Sequence, residues 1–280
     1  YLTEAMATIE GEITGIDYNL HQGRLKAVAV SATSYTTGQN VVFVQGRDIE
    51  GFWEQPNRKS VQTRLRVDHV MASAALPGFF PAVKLGDEYY GDGGIRLMAP
   101  LSPAVHLGAS RILAVSTRYD RSREEADEGE ISGYPTPARV MGVLTNAIFL
   151  DTLDNDARRL ERLNRLLEDL PEDEREGLRP VDLLTLRPSR DLAAMARDFE
   201  PRLPRAIRFL SRGVGATRAG SPDALAMMMF QPDYIRALVK LGEKDAEDRL
   251  DEIAALLDRE PEDDPARLEQ PAPPGAMDAR

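Results

Sequence analysis

The residue best suited by type and setting to proton chemistry is Asp92, which sits in the run Tyr90-Gly91-Asp92-Gly93-Gly94. Glycines on both sides leave the approach to the carboxylate clear and permit the positive φ angles of a sharp turn. A carboxylate with a reference pKa of about 4 is a weak base at neutral pH, so a catalytic role calls for partial desolvation. Its natural client is a serine hydroxyl, a poor nucleophile unless a base lies within hydrogen-bond reach. A bare Asp-Gly-Gly is also a common turn sequence. The weight therefore rests on what surrounds it.

Other chemistry-bearing residues read as structural. His69 stands beside Val70 at a helix start and His106 lies among Ala, Val and Leu; a hydrolase using either as its base is a rival reading. No His-x-x-x-His spacing occurs, and with no cysteine in the chain neither thiolate catalysis nor Cys-ligated metal is available. Gly213-Val214-Gly215 with Gly220 follows a helix and is not followed by Lys-Ser/Thr, so it reads as a loop rather than a phosphate cradle. Met227 to Phe230 and Phe79-Phe80 suit an acyl channel, but core packing explains them more simply. Asp151 and Asp154 read as solvated charges on an exposed helix face.

These residues need elements to hold them. Leu25 to Thr33 and Asn40 to Gln45 are β-branched runs joined by a polar turn containing Gly38, the pattern of paired strands. Asp68 to Ala75 predicts a short helix stopped by Leu76-Pro77-Gly78. Extended chain at Phe79 to Val83 and Glu88 to Tyr90 leads into the Asp92 turn. Pro103 to Leu107 predicts a helix and Arg111 to Ser116 a strand, completing an α/β rhythm. The acidic stretch 122–130 has no apolar periodicity and reads as a solvated loop rather than a lid. Thr136-Pro137 then opens a long amphipathic helix that runs up to Pro171. A strand at Val181 to Leu186, helices near 203–213 and 222–230, and a last helix from Tyr234 to about Leu257 follow. Beyond Glu260 the composition predicts a disordered tail.

A formal charge of −11 argues against nucleic-acid binding, which needs a basic face for phosphates. No apolar run approaches the ~18–20 residues that span a bilayer. Tyr1-Leu2-Thr3-Glu4 has no secretory pattern and looks like the middle of a protein.

Taken in order, Ala72-Ser73-Ala74-Ala75-Leu76-Pro77-Gly78-Phe79-Phe80-Pro81, the Gly91-Asp92-Gly93-Gly94 turn, and Pro100-Leu101-Ser102-Pro103-Ala104-Val105-His106-Leu107-Gly108-Ala109 resemble the second half of the patatin-like phospholipase family. Tyr35-Thr36-Thr37-Gly38 before Val41-Val42-Phe43 is similar to a further element of that family. The resemblance covers roughly residues 20–258. It implies an α/β three-layer core, partial in this chain, spanning 1–120, then the acidic loop 121–135, a helical region 136–258 holding the strand 181–186, and the tail 259–280. It also implies a lipid acyl hydrolase working through a serine–aspartate dyad, with Asp92 catalytic, Gly91, Gly93 and Gly94 forming the supporting turn, and no cofactor or metal. Lipid or acyl ester would be the substrate, with transient membrane-surface contact, in a cytoplasmic or membrane-peripheral protein of bacterial type.

The chain departs from the family's pattern in two elements. A serine nucleophile belongs in Gly-x-Ser-x-Gly at a strand-to-helix elbow, and neither that sequence nor a glycine-rich oxyanion loop occurs here. The expectation is that the nucleophile-bearing part lies upstream of this chain, which alone would have no dyad activity. The alternative is a catalytically incomplete module that binds lipid or protein.

Overall fold

The computed structural model describes residues 8–9, 12–47, 49, 54–77, 80–127, 134, 140, 143, 151–202 and 229–258. A short ribbon of β1 (Thr8–Ile9) and β2 (Glu12–Ile13) leads into α1 (Thr14–His21). A six-stranded mixed sheet follows, built from β3 (Ala27–Ser34), β4 (Asn40–Gly46), β5 (Glu54–Gln55), β6 (Arg58–Gln62), β7 (Val83–Leu85) and β8 (Glu88–Asp92). Across the sheet the order is β5-β6-β4-β3-β8-β7, and every pairing is antiparallel except β4 with β6. α2 (Val67–Ser73) lies between β6 and β7 in the chain, and α3 (Ser102–His106) follows β8.

The run Val41-Val42-Phe43-Val44 explains why β4 is central. Residues along a strand point alternately to its two faces, and here both faces are covered. Val41 and Phe43 join Ala32, Leu65, Ala72 and Tyr90 in one core, with Ile16 of α1 against it. Val42 and Val44 meet Ala27, Ala29 and Leu107 on the other side. A strand apolar at consecutive positions is stable only when sandwiched in this way. Helices packed on a mixed sheet, α1 and α2 on one face and Leu107 just after α3 on the other, make this an α/β fold, as the sequence predicts.

A second unit is parallel. β9 (Arg111–Val115) pairs in register with β10 (Asp182–Leu186). Parallel strands need a long crossover, and the described part of it includes α4 (Arg123–Asp127) and α5 (Asp151–Glu168). Ala157 of α5 packs with Leu101, Ile112, Ala114 and Val181. Asn164 brackets Val181, its amide donating to the Val181 carbonyl at 2.8 Å and its oxygen accepting the Val181 N–H at 3.1 Å. Beyond β10 come α6 (Leu192–Phe199), α7 (Pro232–Glu247) and α8 (Leu250–Asp258), with Met195, Ala196, Met229 and Tyr234 as a separate core. The Arg111 guanidinium donates to the carbonyls of Leu256 and Leu257, at 3.1 and 2.7 Å, and so ties the end of α8 to β9.

Two local expectations change. Part of the acidic stretch is helical: in α4 the Ser122 hydroxyl accepts the Glu125 N–H at 3.2 Å while the Glu125 carboxylate accepts the Ser122 N–H at 2.8 Å. This is a capping box, visible in the sequence as Ser-x-x-Glu. The last helix divides at Asp248-Arg249, where Arg249 donates to the Thr185 carbonyl of β10 at 2.7 Å. The helix expected near 203–213, residues 222–228 of the helix expected near 222–230 and the tail from 259 lie outside the described residues, while Met229 and Phe230 are described and not helical.

Candidate active site

Asp92 is the last residue of β8, paired across the sheet with Ala32. Its backbone is held on every side. The Asp92 N–H donates to the Ala75 carbonyl at 3.0 Å, fixing the turn to the end of α2. The Asp92 carbonyl accepts the Thr33 hydroxyl at 2.8 Å, and the Gly93 carbonyl accepts the Asn40 side-chain amide at 3.3 Å. The carboxylate itself takes one hydrogen bond: Oδ1 accepts the Gly94 N–H at 2.8 Å. Oδ2 has no partner among the described residues.

Gly91 and Gly93 are required by space and not by conformation, since the positive φ expected of this turn is found at none of Gly91, Gly93 and Gly94. A Cβ on Gly93 would collide with the Ser31 carbonyl, and one on Gly91 with the Tyr35 hydroxyl and ring. Both glycines are buried while Asp92 is half-buried. Burial pushes the Asp92 carboxyl above its ordinary value of 3.8, and the Gly94 N–H pulls the other way without cancelling it. This is the direction a general base requires.

Beside the turn runs a groove of about 780 Å³, lined by Val30, Ser31, Ser73, Ala74, Leu97 and Ala104 among others. It is predominantly apolar and reaches Ser31, the residue on which Gly93 rests. Among the described residues no serine hydroxyl bonds the Asp92 carboxylate. Ser31 and Ser73 line the groove, but neither lies in a glycine-flanked elbow, and the Ser34 hydroxyl donates instead to Glu88 at 2.8 Å. A smaller cavity of about 330 Å³ near Asp17, Gln45 and Arg47 holds no comparable pairing.

The histidines are occupied elsewhere. His69 Nδ1 accepts the Arg66 N–H at 2.9 Å, its ring meets Phe43 edge-on at 4.8 Å, and burial lowers its pKa. His106 Nδ1 approaches the Ser102 hydroxyl at 3.1 Å, the geometry of a nucleophile and base. It lies nearer the Ser102 carbonyl, at 2.8 Å. A carbonyl only accepts, so Nδ1 carries the hydrogen and is no base for that serine. The serine oxygen also accepts Arg58 Nη1 at 3.0 Å.

Asp154 overturns its sequence reading as a solvated charge. It is 14% exposed and binds two guanidiniums, Arg118 at 2.7 Å and Arg187. Helix periodicity could not show this, because both arginines arrive from the ends of β9 and β10. Met229 is core while Phe230 is exposed and stacks edge-to-face on Phe80; Phe79, Met227 and Met228 lie outside the described residues, as do the glycines of 213–220. Among the described residues no cluster of three or more His, Asp or Glu is placed to hold a metal, and no helix is long and apolar enough to cross a membrane.

Sequence reasoning missed Thr33 and Asn40. The available signal was a polar residue heading an otherwise apolar central strand, which is buried at 1% exposure and needs a reason to be polar.

The site is thus a half-desolvated carboxylate in a glycine turn at a strand end of a mixed α/β sheet, near an apolar groove that reaches Ser31. Residues 26–105 match the patatin-like phospholipase family, and this segment contains β3, β4, α2, Asp92 and the whole of its turn. A comparison with curated proteins returned no match.

Proposed function

We propose that Asp92 is the acid–base residue of a lipid acyl hydrolase that works through a serine–aspartate dyad, with the serine contributed by a segment outside this sequence. The patatin-like match supports the lipid acyl hydrolase class. One observation carries the finer reading: within that match a half-desolvated carboxylate keeps one oxygen unpartnered among the described residues, in a turn packed on Ser31, which lines an apolar groove.

The chemistry follows from the arrangement. A serine hydroxyl presented to Oδ2 gives up its proton as it attacks the acyl carbon. Asp92 then passes that proton to the leaving alcohol, and an acyl-serine forms. In the second half-reaction Asp92 takes a proton from water, which attacks the acyl-serine, and returns it to the serine oxygen. The Gly94 N–H holds Oδ1 throughout and so aims Oδ2. The groove beside Asp92 suits an acyl chain or the serine-bearing segment. The exposed Phe80–Phe230 pair, at 43% and 66%, suits contact with a lipid surface. The same chemistry needs no cofactor.

The test is a short-chain acyl ester assay on a polypeptide in which a Gly-x-Ser-x-Gly segment is joined to this chain or added in trans. Asp92→Asn should lower kcat by about 10²–10⁴-fold with folding intact by circular dichroism. Because the base must be ionised, the acid limb of kcat/KM should lie above the ordinary aspartate value and activity should fall as pH drops through it. Unchanged turnover in the folded variant would sink the reading. Absence of turnover in every complete polypeptide would favour the alternative, an incomplete module that binds lipid or protein.

A further inference from the structure

The Gly93 carbonyl and the Gly94 N–H belong to a single peptide unit. Its oxygen accepts the Asn40 side-chain amide at 3.3 Å, and its N–H donates to Asp92 Oδ1 at 2.8 Å. A peptide group pinned at its oxygen cannot rotate to re-aim its N–H. A donor on the carbonyl also polarises the unit and makes that N–H a better donor, the cooperative effect of linked hydrogen bonds. Asn40 therefore sits one peptide away from the carboxylate, although the two residues are 52 positions apart in the chain.

Asn40 is a costly residue to keep there. It heads β4 at 1% exposure, and its Oδ1 is buried without a partner. An unpaired buried carbonyl destabilises the fold, and an apolar side chain heading this strand would avoid that cost. What Asn40 provides instead is its contact with Gly93. Thr33, also buried, acts differently: its hydroxyl bonds the Asp92 carbonyl, a group in the preceding peptide.

We propose that Asn40 is the positioning residue of Asp92, acting through the Gly93–Gly94 peptide to aim the carboxylate and to strengthen the hydrogen bond on Oδ1. The inference rests on the reading of Asp92 as the working carboxylate for its purpose, but its physical content does not depend on catalysis. The charged and titratable side chains on the elements packed against this turn are Asp68 and His69 of α2, Lys84 of β7, and Glu88, Tyr89 and Tyr90 of β8, with Arg96 following the turn. None of them forms a hydrogen bond or ion pair with Asp92. β3 carries no charge. The link through Gly94 is the polar contact on the carboxylate.

The experiment is an NMR pH titration of the full chain, reading the Asp92 carboxyl carbon, the Gly94 amide and the Asn40 side-chain amide. In the unmodified protein all three should move with one midpoint, and the two amide responses should vanish in Asp92→Asn. An Asn40 amide that ignores the Asp92 titration would overturn the proposal without any variant at Asn40. In folded Asn40→Ala or Asn40→Ser the weakened Gly94 bond should raise the Asp92 midpoint, more than Thr33→Val does. An unchanged midpoint, or an equal rise in Thr33→Val, would also overturn it. Failure of the hydrolase assay would leave these titrations untouched, so the two ideas fail separately.

Discussion

The two buried glycines flanking Asp92 face different neighbours, and their tolerance to substitution should differ. A Cβ on Gly93 meets the backbone carbonyl of Ser31, which is part of β3 and cannot move without disturbing the central sheet. A Cβ on Gly91 meets the ring and hydroxyl of Tyr35, a half-exposed side chain free to swing aside. Overpacking a rigid site costs about 1–3 kcal/mol. Urea denaturation should therefore show Gly93→Ala losing stability in that range and Gly91→Ala losing distinctly less. Equal losses would mean that β3 yields as readily as a surface ring. At this scale the sequence displayed the site's chemistry, since Asp and Gly are legible as types. It did not display Thr33 or Asn40, because their role depends on which strands lie beside β8.

Element pairing sets how the parallel unit is held. Asp154 on α5 bridges Arg118 beyond β9 and Arg187 beyond β10, so one carboxylate fastens the crossover helix to both strand ends. Asp154→Ala leaves two partly buried guanidiniums without it, and hydrogen bonds to charged groups are worth about 1.5–3 kcal/mol each before solvent screening. Asp154→Ala should destabilise the protein by about that amount in total, and more than Arg118→Ala does, because Arg118 is the more exposed partner. Hydrogen exchange at the amides of β10 should quicken in Asp154→Ala. Unchanged exchange there would show the pair to be ornamental. The strands β3, β4, β9 and β10 were readable because their apolar runs reflect burial within each strand. β6, Arg58-Lys59-Ser60-Val61-Gln62, was not. Its sequence is polar, and it is a strand because β4 supplies its hydrogen bonds in register.

Across the whole molecule the shifted groups give the fold a definite pH dependence. Glu88 accepts the Ser34 and Tyr90 hydroxyls, which hold its carboxyl below the ordinary value, while burial holds His69 below the ordinary imidazole value. A depressed pKa contributes stability that is present above the unfolded value and lost as pH falls through the folded one. Asp92 has the opposite sign, since its raised pKa favours the protonated fold and its contribution is lost as pH rises through that value. Urea midpoints should therefore fall as pH drops below about 6.5, the reference value of histidine, and fall again below the ordinary glutamate range. Glu88→Gln should remove part of the second loss, and a slope unchanged in that variant would assign the loss to other carboxylates. The sequence alone determined the α/β rhythm, the paired strands β3 and β4 and the Asp92 turn, because each is written in neighbouring residues. Only the tertiary structure decided what holds Asp92, what Asp154 binds and where the last helix breaks. Those outcomes depend on contacts between residues distant in the chain, and residue type and periodicity carry no record of such contacts.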